Sequence, residues 1–143
     1  MKLAAILVVV LAVLLGGCTK TAVPVEIGKI CSIENEKKYV VTNGFLTDRG
    51  STFCSNIGGG PVRCGMDVGA TAGGPRVFGA DIQQGGSADE IEKLESSYKS
   101  SDIKIRDDAG NIIKLTDGVK LTGQMSITPD GSVCFMTVDK IEK

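Results

Sequence analysis

Cysteine is the residue type in this 143-residue chain that is best suited to chemistry, because its thiol can bond to sulfur, metals and acyl groups. Five cysteines occur, at positions Cys18, Cys31, Cys54, Cys64 and Cys134. No two of them have the C-x-x-C spacing of a redox pair or a zinc knuckle. The chain also contains no histidine, which excludes histidine-paired nucleophiles, histidine-ligated zinc and the commonest general base.

Carboxylates are the remaining candidates for acid–base chemistry. Asp107 and Asp108 begin the turn-forming stretch DDAGN, and Asp67 lies in a strand-like fragment. Two carboxylates held about 5–9.5 Å apart would suffice for a glycan hydrolase, whereas Asp in such a turn ordinarily supports the turn itself. We therefore expect no catalytic residue, no metal site and no cofactor, and we keep a small cell-wall or glycan hydrolase as an alternative.

The first 17 residues have the features of an export signal. Met1 and Lys2 precede an unbroken apolar run from Leu3 to Leu15. That run is shorter than the ~20 residues of a membrane-spanning helix and has the length typical of the apolar region of a signal peptide.

The run ends in LGGC, of which the last residue is Cys18. This stretch resembles the lipobox of bacterial lipoproteins, although Gly16 stands where Ala or Ser is commoner. The resemblance implies that Cys18 becomes the first mature residue and carries fatty-acyl chains such as palmitate, which together anchor a protein to a membrane. Thr19 rather than Asp follows, which implies the outer membrane in a cell that has two. We therefore expect a signal peptide at 1–17 and a lipid-anchored protein of the bacterial cell envelope.

The other four cysteines are even in number, which in an exported chain indicates two disulfide bonds. Three pairings are possible, and the sequence leaves them open. We favour Cys54–Cys64, which would close a glycine-rich loop, together with Cys31–Cys134, which would join the N-terminal arm to the last strand.

Composition limits the size of the domain and its partners. The 126 residues after the signal suit one domain, with a tether at 18–30 and a single β-rich domain at 31–143. They carry 15 basic and 17 acidic residues and so lack the positive charge that attracts nucleic acid. We expect no nucleic-acid partner.

Most of the domain has strand-like patterns. YVVTNGFLT, which begins at Tyr39, is rich in β-branched and aromatic residues, and VKLTGQMSI at 119–127 alternates apolar and polar residues. Gly123 interrupts that second stretch, which indicates a bulge or a tight barrel bend. In contrast, SADEIEKLESSYK predicts one short helix, because Ser87 and Glu90 have the spacing of a capping box and Ile91, Leu94 and Tyr98 share a helical face.

Residues 56–86 contain ten glycines, interrupted by strand-like fragments. They have neither the Gly-Lys-Ser/Thr ending of a phosphate loop nor the strand-to-helix context of a dinucleotide loop. We interpret them as short strands joined by loops, and Asn56 to Gly86 as the region that contacts a partner.

The segment IKIRDDAGNIIKL…GVKLTGQMSI…CFMTVDKIE, within 101–143, is similar to the latter part of small bacterial OB-fold domains. It shares their hairpin with a D-x-x-G turn, their V-x-V-x-G strand and their final strand. It departs from them in the predicted helix, which precedes this hairpin, whereas OB-folds carry theirs between the third and fourth strands. The resemblance implies a mainly β fold with one short helix, in a small OB-like antiparallel β-barrel. The alternative is another small disulfide-stapled β-sandwich.

These observations predict a non-enzymatic binding or adaptor module that is anchored to a membrane through Cys18 and contacts another envelope protein. An enzyme inhibitor or immunity lipoprotein is a further alternative, because small disulfide-stapled domains suit tight one-to-one binding.

Overall fold

The structure, a computed structural model, describes residues 19–48 and 52–143. Cys18 and the segment before it, predicted to be a signal peptide, lie outside the described residues. Nine strands lie within the described ranges: β1 Val23–Pro24, β2 Tyr39–Thr47, β3 Phe53–Ser55, β4 Arg63–Gly69, β5 Arg76–Gln83, β6 Ile105–Arg106, β7 Ile112–Ile113, β8 Val119–Ile127 and β9 Cys134–Glu142.

Five of these strands close into a barrel in the order β2-β4-β5-β9-β8, with β8 pairing back to β2. Every neighbouring pair in the barrel is antiparallel except β5 and β9, which are parallel. The prediction of a mainly β fold with a small OB-like barrel is confirmed. The alternative of another small disulfide-stapled β-sandwich does not apply, because the β2–β4 pairing closes the sheet into a barrel.

The alternation in β8 sets which residues face the interior. Val119, Leu121, Met125 and Ile127 are buried, whereas Lys120 and Gln124 between them are exposed. Gly123 lies at a shift in register against β9, as its position in the strand predicted. A Cβ atom there would stand 2.1 Å from the carbonyl oxygen of Thr137, so only glycine permits the two strands to come this close.

The N-terminal arm packs on the barrel. β1 pairs in parallel with β2 at Val40 and Val41, and the side chain of Ile30 is fully buried. The Cys31–Cys134 disulfide then joins the arm to the first residue of β9. The N-terminal arm therefore contributes to the core and is covalently linked to the barrel.

The second disulfide lies at the edge strand β3. Cys54 and Cys64 are directly opposite each other in the antiparallel β3–β4 pair, and a disulfide joins them. The prediction of disulfide bonds is confirmed, and in the structure they join the two pairs that were favoured.

The connection between β5 and β8 differs from the prediction, because the helix expected from Ser87 to Lys99 is wrong. Glu90 does accept a hydrogen bond from the Ser87 amide at 2.9 Å, as in a capping box. However, Asp89 has a positive φ of 62°, which is incompatible with a right-handed helix, so no helix can run through this position. Ile91 then forms bridges with Gln84 and Ile105, and its side chain is fully buried.

The helical segments of the described residues are four 3-10 turns of three residues each, at Ile27–Lys29, Ile33–Asn35, Ile57–Gly59 and Ser100–Asp102. Across those same residues, none of the helices has the length and apolar character needed to traverse a bilayer. The hairpin of β6 and β7 forms a separate two-stranded sheet outside the barrel. Together with the irregular segment before it, this hairpin occupies the connection between the third and fourth barrel strands.

Candidate binding groove

A groove of about 530 Å³ lies on the outer face of the barrel, where β3, β4, β5 and β9 run side by side. Strand register explains its shape. Gly65 lies between Phe53 on β3 and Asp81 on β5, and Gly79 lies between Asp67 on β4 and Phe135 on β9. Two neighbouring positions of the outer face therefore lack side chains, and of these Gly65 is exposed whereas Gly79 is buried.

Gly65 is the more open of the two glycines. A Cβ atom there would meet no atom within 4 Å, whereas one at Gly79 would stand 3.1 Å from the Arg76 guanidinium and 3.3 Å from the Cβ of Phe135. The space above Gly65 can therefore accept a side chain or a small ring from a partner.

Two phenylalanines flank this space. Phe53 is 72% exposed, which is unusual for so large an apolar side chain, and Phe135 is half-buried. Phe53 lies next to Gly65 across the strand pair, and Phe135 lies next to Gly79. The groove thus offers aromatic surface at two sides of a glycine floor.

Two ion pairs supply its polar groups. Arg63 is held firmly, since its guanidinium donates to the Asp81 carboxylate at 3.1 Å and to the carbonyls of Asp81 and Val138 at 2.8 and 2.9 Å. Arg76 is half exposed and lies 3.5 Å from the Asp67 carboxylate. This contact is longer than the 3.1 Å contact between Arg63 and Asp81. Because the charges balance, the groove has no strong attraction for a polyanion or a polycation.

Residues 56–86, predicted to contact a partner, supply both the glycine floor and the two ion pairs. Phe53 and Phe135 lie outside that range and were missed. The sequence holds one signal for Phe53, because its neighbour Cys54 forms a disulfide to β4 and therefore fixes which way the strand faces. For Phe135 no local signal exists, because its place beside Gly79 depends on the parallel β5–β9 pairing.

Of the carboxylates considered for hydrolysis, Asp67 is not brought together with Asp107 and Asp108. Asp67 is on the outer face of β4 beside Arg76, in register with Phe135 through Gly79. Asp108 donates its backbone amide to the carbonyl of Ile141. Residues 135 and 141 on the same strand are about 20 Å apart at ~3.3 Å per residue. This separation exceeds the spacing that two carboxylates need to act on one glycosidic bond.

Asp107 instead supports the hairpin turn. Its buried carboxylate accepts hydrogen bonds from the Asn111 amide at 2.7 Å, the Ala109 amide at 3.1 Å and the Asn111 side chain at 3.3 Å. The bond from the Asn111 backbone is the main cause that lowers the pKa of Asp107. A carboxylate held ionised inside a turn is a structural group and is poorly placed to meet a substrate.

Four of the five cysteines are joined as disulfides, and Cys18 lies outside the described residues. Within residues 19–48 and 52–143, no cluster of three or more His, Cys, Asp or Glu side chains is arranged to hold a metal ion. Comparisons with protein-family models, with curated proteins and with solved structures find no match to this chain.

Proposed function

We propose that this protein is a lipid-anchored, non-enzymatic binding module of the bacterial cell envelope, which captures a protein partner in the groove beside Phe53. The observation that carries the proposal is Phe53 itself, exposed at the edge of the open glycine floor of Gly65. The LGGC sequence that ends at Cys18 supports the lipid anchor and the envelope location.

The residue types of the groove support a protein as the partner. Aromatic and arginine side chains carry a large share of the binding energy in protein interfaces, and they act best beside a pocket that the partner fills. Phe53 and Arg76 are such side chains, and both are exposed. The space above Gly65 is the matching pocket.

In-cell crosslinking of the full lipidated chain, followed by mass spectrometry of the trapped proteins, tests the proposal. The decisive variant is Gly65→Leu, which fills the groove while its Cβ meets no atom within 4 Å. Gly28→Leu is the matched control, because a Cβ there is equally free of contacts and Gly28 lies outside the groove. We expect one abundant partner with the native chain and with Gly28→Leu, and loss of that partner with Gly65→Leu. Equal capture by all three proteins would contradict the proposal that the partner binds in the groove.

Phe53→Ala gives a quantitative measure once the partner is purified. Truncation of a hot-spot aromatic costs about 2 kcal/mol or more, so we expect the affinity to fall by a factor of about 30 or more. Because the side chain is exposed, the thermal stability of the variant is expected to remain that of the native chain. An unchanged affinity would show that Phe53 does not contribute to the interface.

The anchor needs its own test, which is metabolic labelling with an alkyne fatty acid. We expect the native chain to carry the label and to sediment with membranes, and Cys18→Ala to lose both properties. A native chain that is unlabelled and soluble would refute the lipid anchor while leaving the groove intact.

A further inference from the structure

The first described residues lie on the barrel almost immediately after Cys18. The Lys20 ammonium stands 5.6 Å from the centre of the Tyr39 ring, and Val23 pairs with Val40. An extended chain covers at most ~3.6 Å per residue. The Cα atom of Cys18 is therefore no more than about 7 Å from that of Lys20, and the chain between them is too short to act as a long tether.

The rest of the arm cannot be released to lengthen this connection. Val25 donates its amide to the Val41 carbonyl at 2.9 Å, and Ile30 is fully buried. The Asn35 side chain donates to the Ile30 carbonyl, and the Cys31–Cys134 disulfide fixes the arm covalently. The distance from the lipid to the barrel is set by the two residues 19 and 20.

The surface around this point has residues suited to a lipid headgroup layer. Lys37 and Lys38 are exposed next to Tyr39, and the ion pairs of the described residues do not include them or Lys20. Val23 is half exposed beside them. Lysines attract anionic headgroups, and tyrosine is enriched where a protein meets the membrane interface.

Acidic groups also face this surface. Burial is the main cause that raises the pKa of the Tyr39 phenol, and the neighbouring carboxylate of Asp139 is the second. The Glu36 carboxylate is turned away, since it accepts a hydrogen bond from the Ile127 amide. The surface therefore keeps a positive balance from its three lysines.

We propose that the surface formed by Lys20, Val23, Lys37, Lys38 and Tyr39 lies directly against the bilayer and contacts the headgroups of anionic phospholipids. This inference rests on the proposed lipid attachment at Cys18. It gives the barrel one fixed orientation on the membrane, in contrast to a domain that hangs freely from a flexible arm.

The absence of tryptophan from the sequence makes a direct test possible. A single tryptophan introduced by Val23→Trp would report on this surface. Ala72→Trp is the control, because Ala72 is exposed in the turn between β4 and β5. That turn lies at the end of β2 away from Tyr39, since Gly69 pairs with Phe45. The lipidated full chain is reconstituted in vesicles of phosphatidylethanolamine and phosphatidylglycerol that contain brominated lipid, which quenches nearby indoles. We expect Val23→Trp to be quenched at least twofold more than Ala72→Trp.

Flotation of the vesicles separates the two possible failures. Protein that does not float has no anchor, which refutes the proposed function on which this inference rests. Protein that floats with both tryptophans equally quenched, or neither quenched, has an anchor without a fixed orientation and overturns the inference alone.

The role of charge is tested in the Val23→Trp background. The triple substitution of Lys20, Lys37 and Lys38 by Gln is compared with the same substitution of Lys93, Lys99 and Lys114, which are exposed elsewhere. We expect the first to reduce quenching at low salt in vesicles that contain phosphatidylglycerol, and the second to have no effect. Equal quenching in both would overturn the contact with anionic headgroups.

Discussion

The β8–β9 pair and the connection at 84–118 are neighbours in the sequence, yet only one of them follows its local sequence pattern. In β8, alternate residues from Val119 to Ile127 face the core as the pattern requires. In the connection, the three apolar residues spaced for a helix lie on an irregular chain, and of these only Ile91 is fully buried. A repeating pattern over nine residues outweighs a stripe of three.

The two regions differ because another local structure would be costly in β8 but is readily replaced in the connection. A slip of one residue in β8 would turn its whole apolar set to solvent. A helix of 13 residues is marginal by itself, and in the connection it competes with backbone bonds to the sheet. Ile91 donates to the Gln83 carbonyl at 2.9 Å, and Gly85 donates to the Ile91 carbonyl at 2.9 Å. Those bonds and the burial of Ile91 replace the helix.

The largest effect is expected where a disulfide joins the N-terminal arm to the barrel. Replacing Cys31 and Cys134 together by Ser opens a loop of 103 residues, which removes about 4–5 kcal/mol of stability if the bond acts on the entropy of the unfolded chain. The same change at Cys54 and Cys64 opens a loop of only 10 residues and is expected to cost about 3 kcal/mol or less. Urea unfolding of both variants measures the difference, and equal losses would contradict the dependence on loop length.

Gly123→Ala tests the barrel strands themselves. The new methyl group would stand 2.1 Å from the Thr137 carbonyl oxygen, so β8 and β9 must move apart. We expect a loss of about 3 kcal/mol or more, at the upper end of what overpacking costs. Gly65→Ala is the control, since its methyl meets open space in a strand of the same barrel, and its melting temperature is expected to match that of the native chain.

Two alanine substitutions distinguish the observed connection from a helix. Ile91→Ala is expected to cost about 2 kcal/mol, the lower end for a buried isoleucine, because the loop around it can partly collapse. Leu94→Ala, at a half-buried position, is expected to cost less than half as much. A helix with both residues on its packed face would lose similar stability in the two variants, and that result would contradict the structure.

The smallest effect is expected in the hairpin turn, and it depends on pH. Hydrogen bonds hold the pKa of Asp107 below its ordinary 3.8 in the folded chain, so the ionised group stabilises the fold above that ordinary value. This contribution is lost as the pH falls through the lowered pKa. The melting temperature of Asp107→Asn is therefore expected to be below that of the native chain at pH 7 and to approach it near pH 2.

Asp108→Asn is the control for that experiment. Its carboxylate contacts Lys140 at 3.4 Å at the surface and accepts none of the turn bonds that Asp107 receives. We expect its melting temperature at pH 7 to lie closer to the native value than that of Asp107→Asn. A larger loss in Asp108→Asn would show that the turn depends on the surface ion pair instead.

The parts of the fold that could be predicted from the sequence are those with a long, regular pattern of apolar residues. β2 and β8 could be predicted with their boundaries, because each has nine residues of consistent pattern. The strands within 56–86 could be predicted only as fragments, because glycines replace the side chains that would have shown alternation. The helix was predicted wrongly because the partners of Ile91, at Gln84 and Ile105, are fixed by tertiary contacts.

The candidate groove was predictable only in part, for a related reason. Its glycines and ion pairs lie close together in the sequence, within 56–86. Phe135 reaches Gly79 across 56 positions through the parallel β5–β9 pair, and one sequence contains no record of register between distant strands. The aromatic part of the site therefore becomes visible only in three dimensions.

The position of β9 in the barrel has a consequence for the synthesis of the protein. β9, which is synthesised after the other four barrel strands, lies between β8 and β5 and also carries Cys134, the partner of Cys31. Until it arrives, β5 and β8 present unpaired edges, which are prone to pair with other chains. A nascent chain that still lacks β9 therefore cannot complete the barrel, and closure must wait until residues 134–142 have been made.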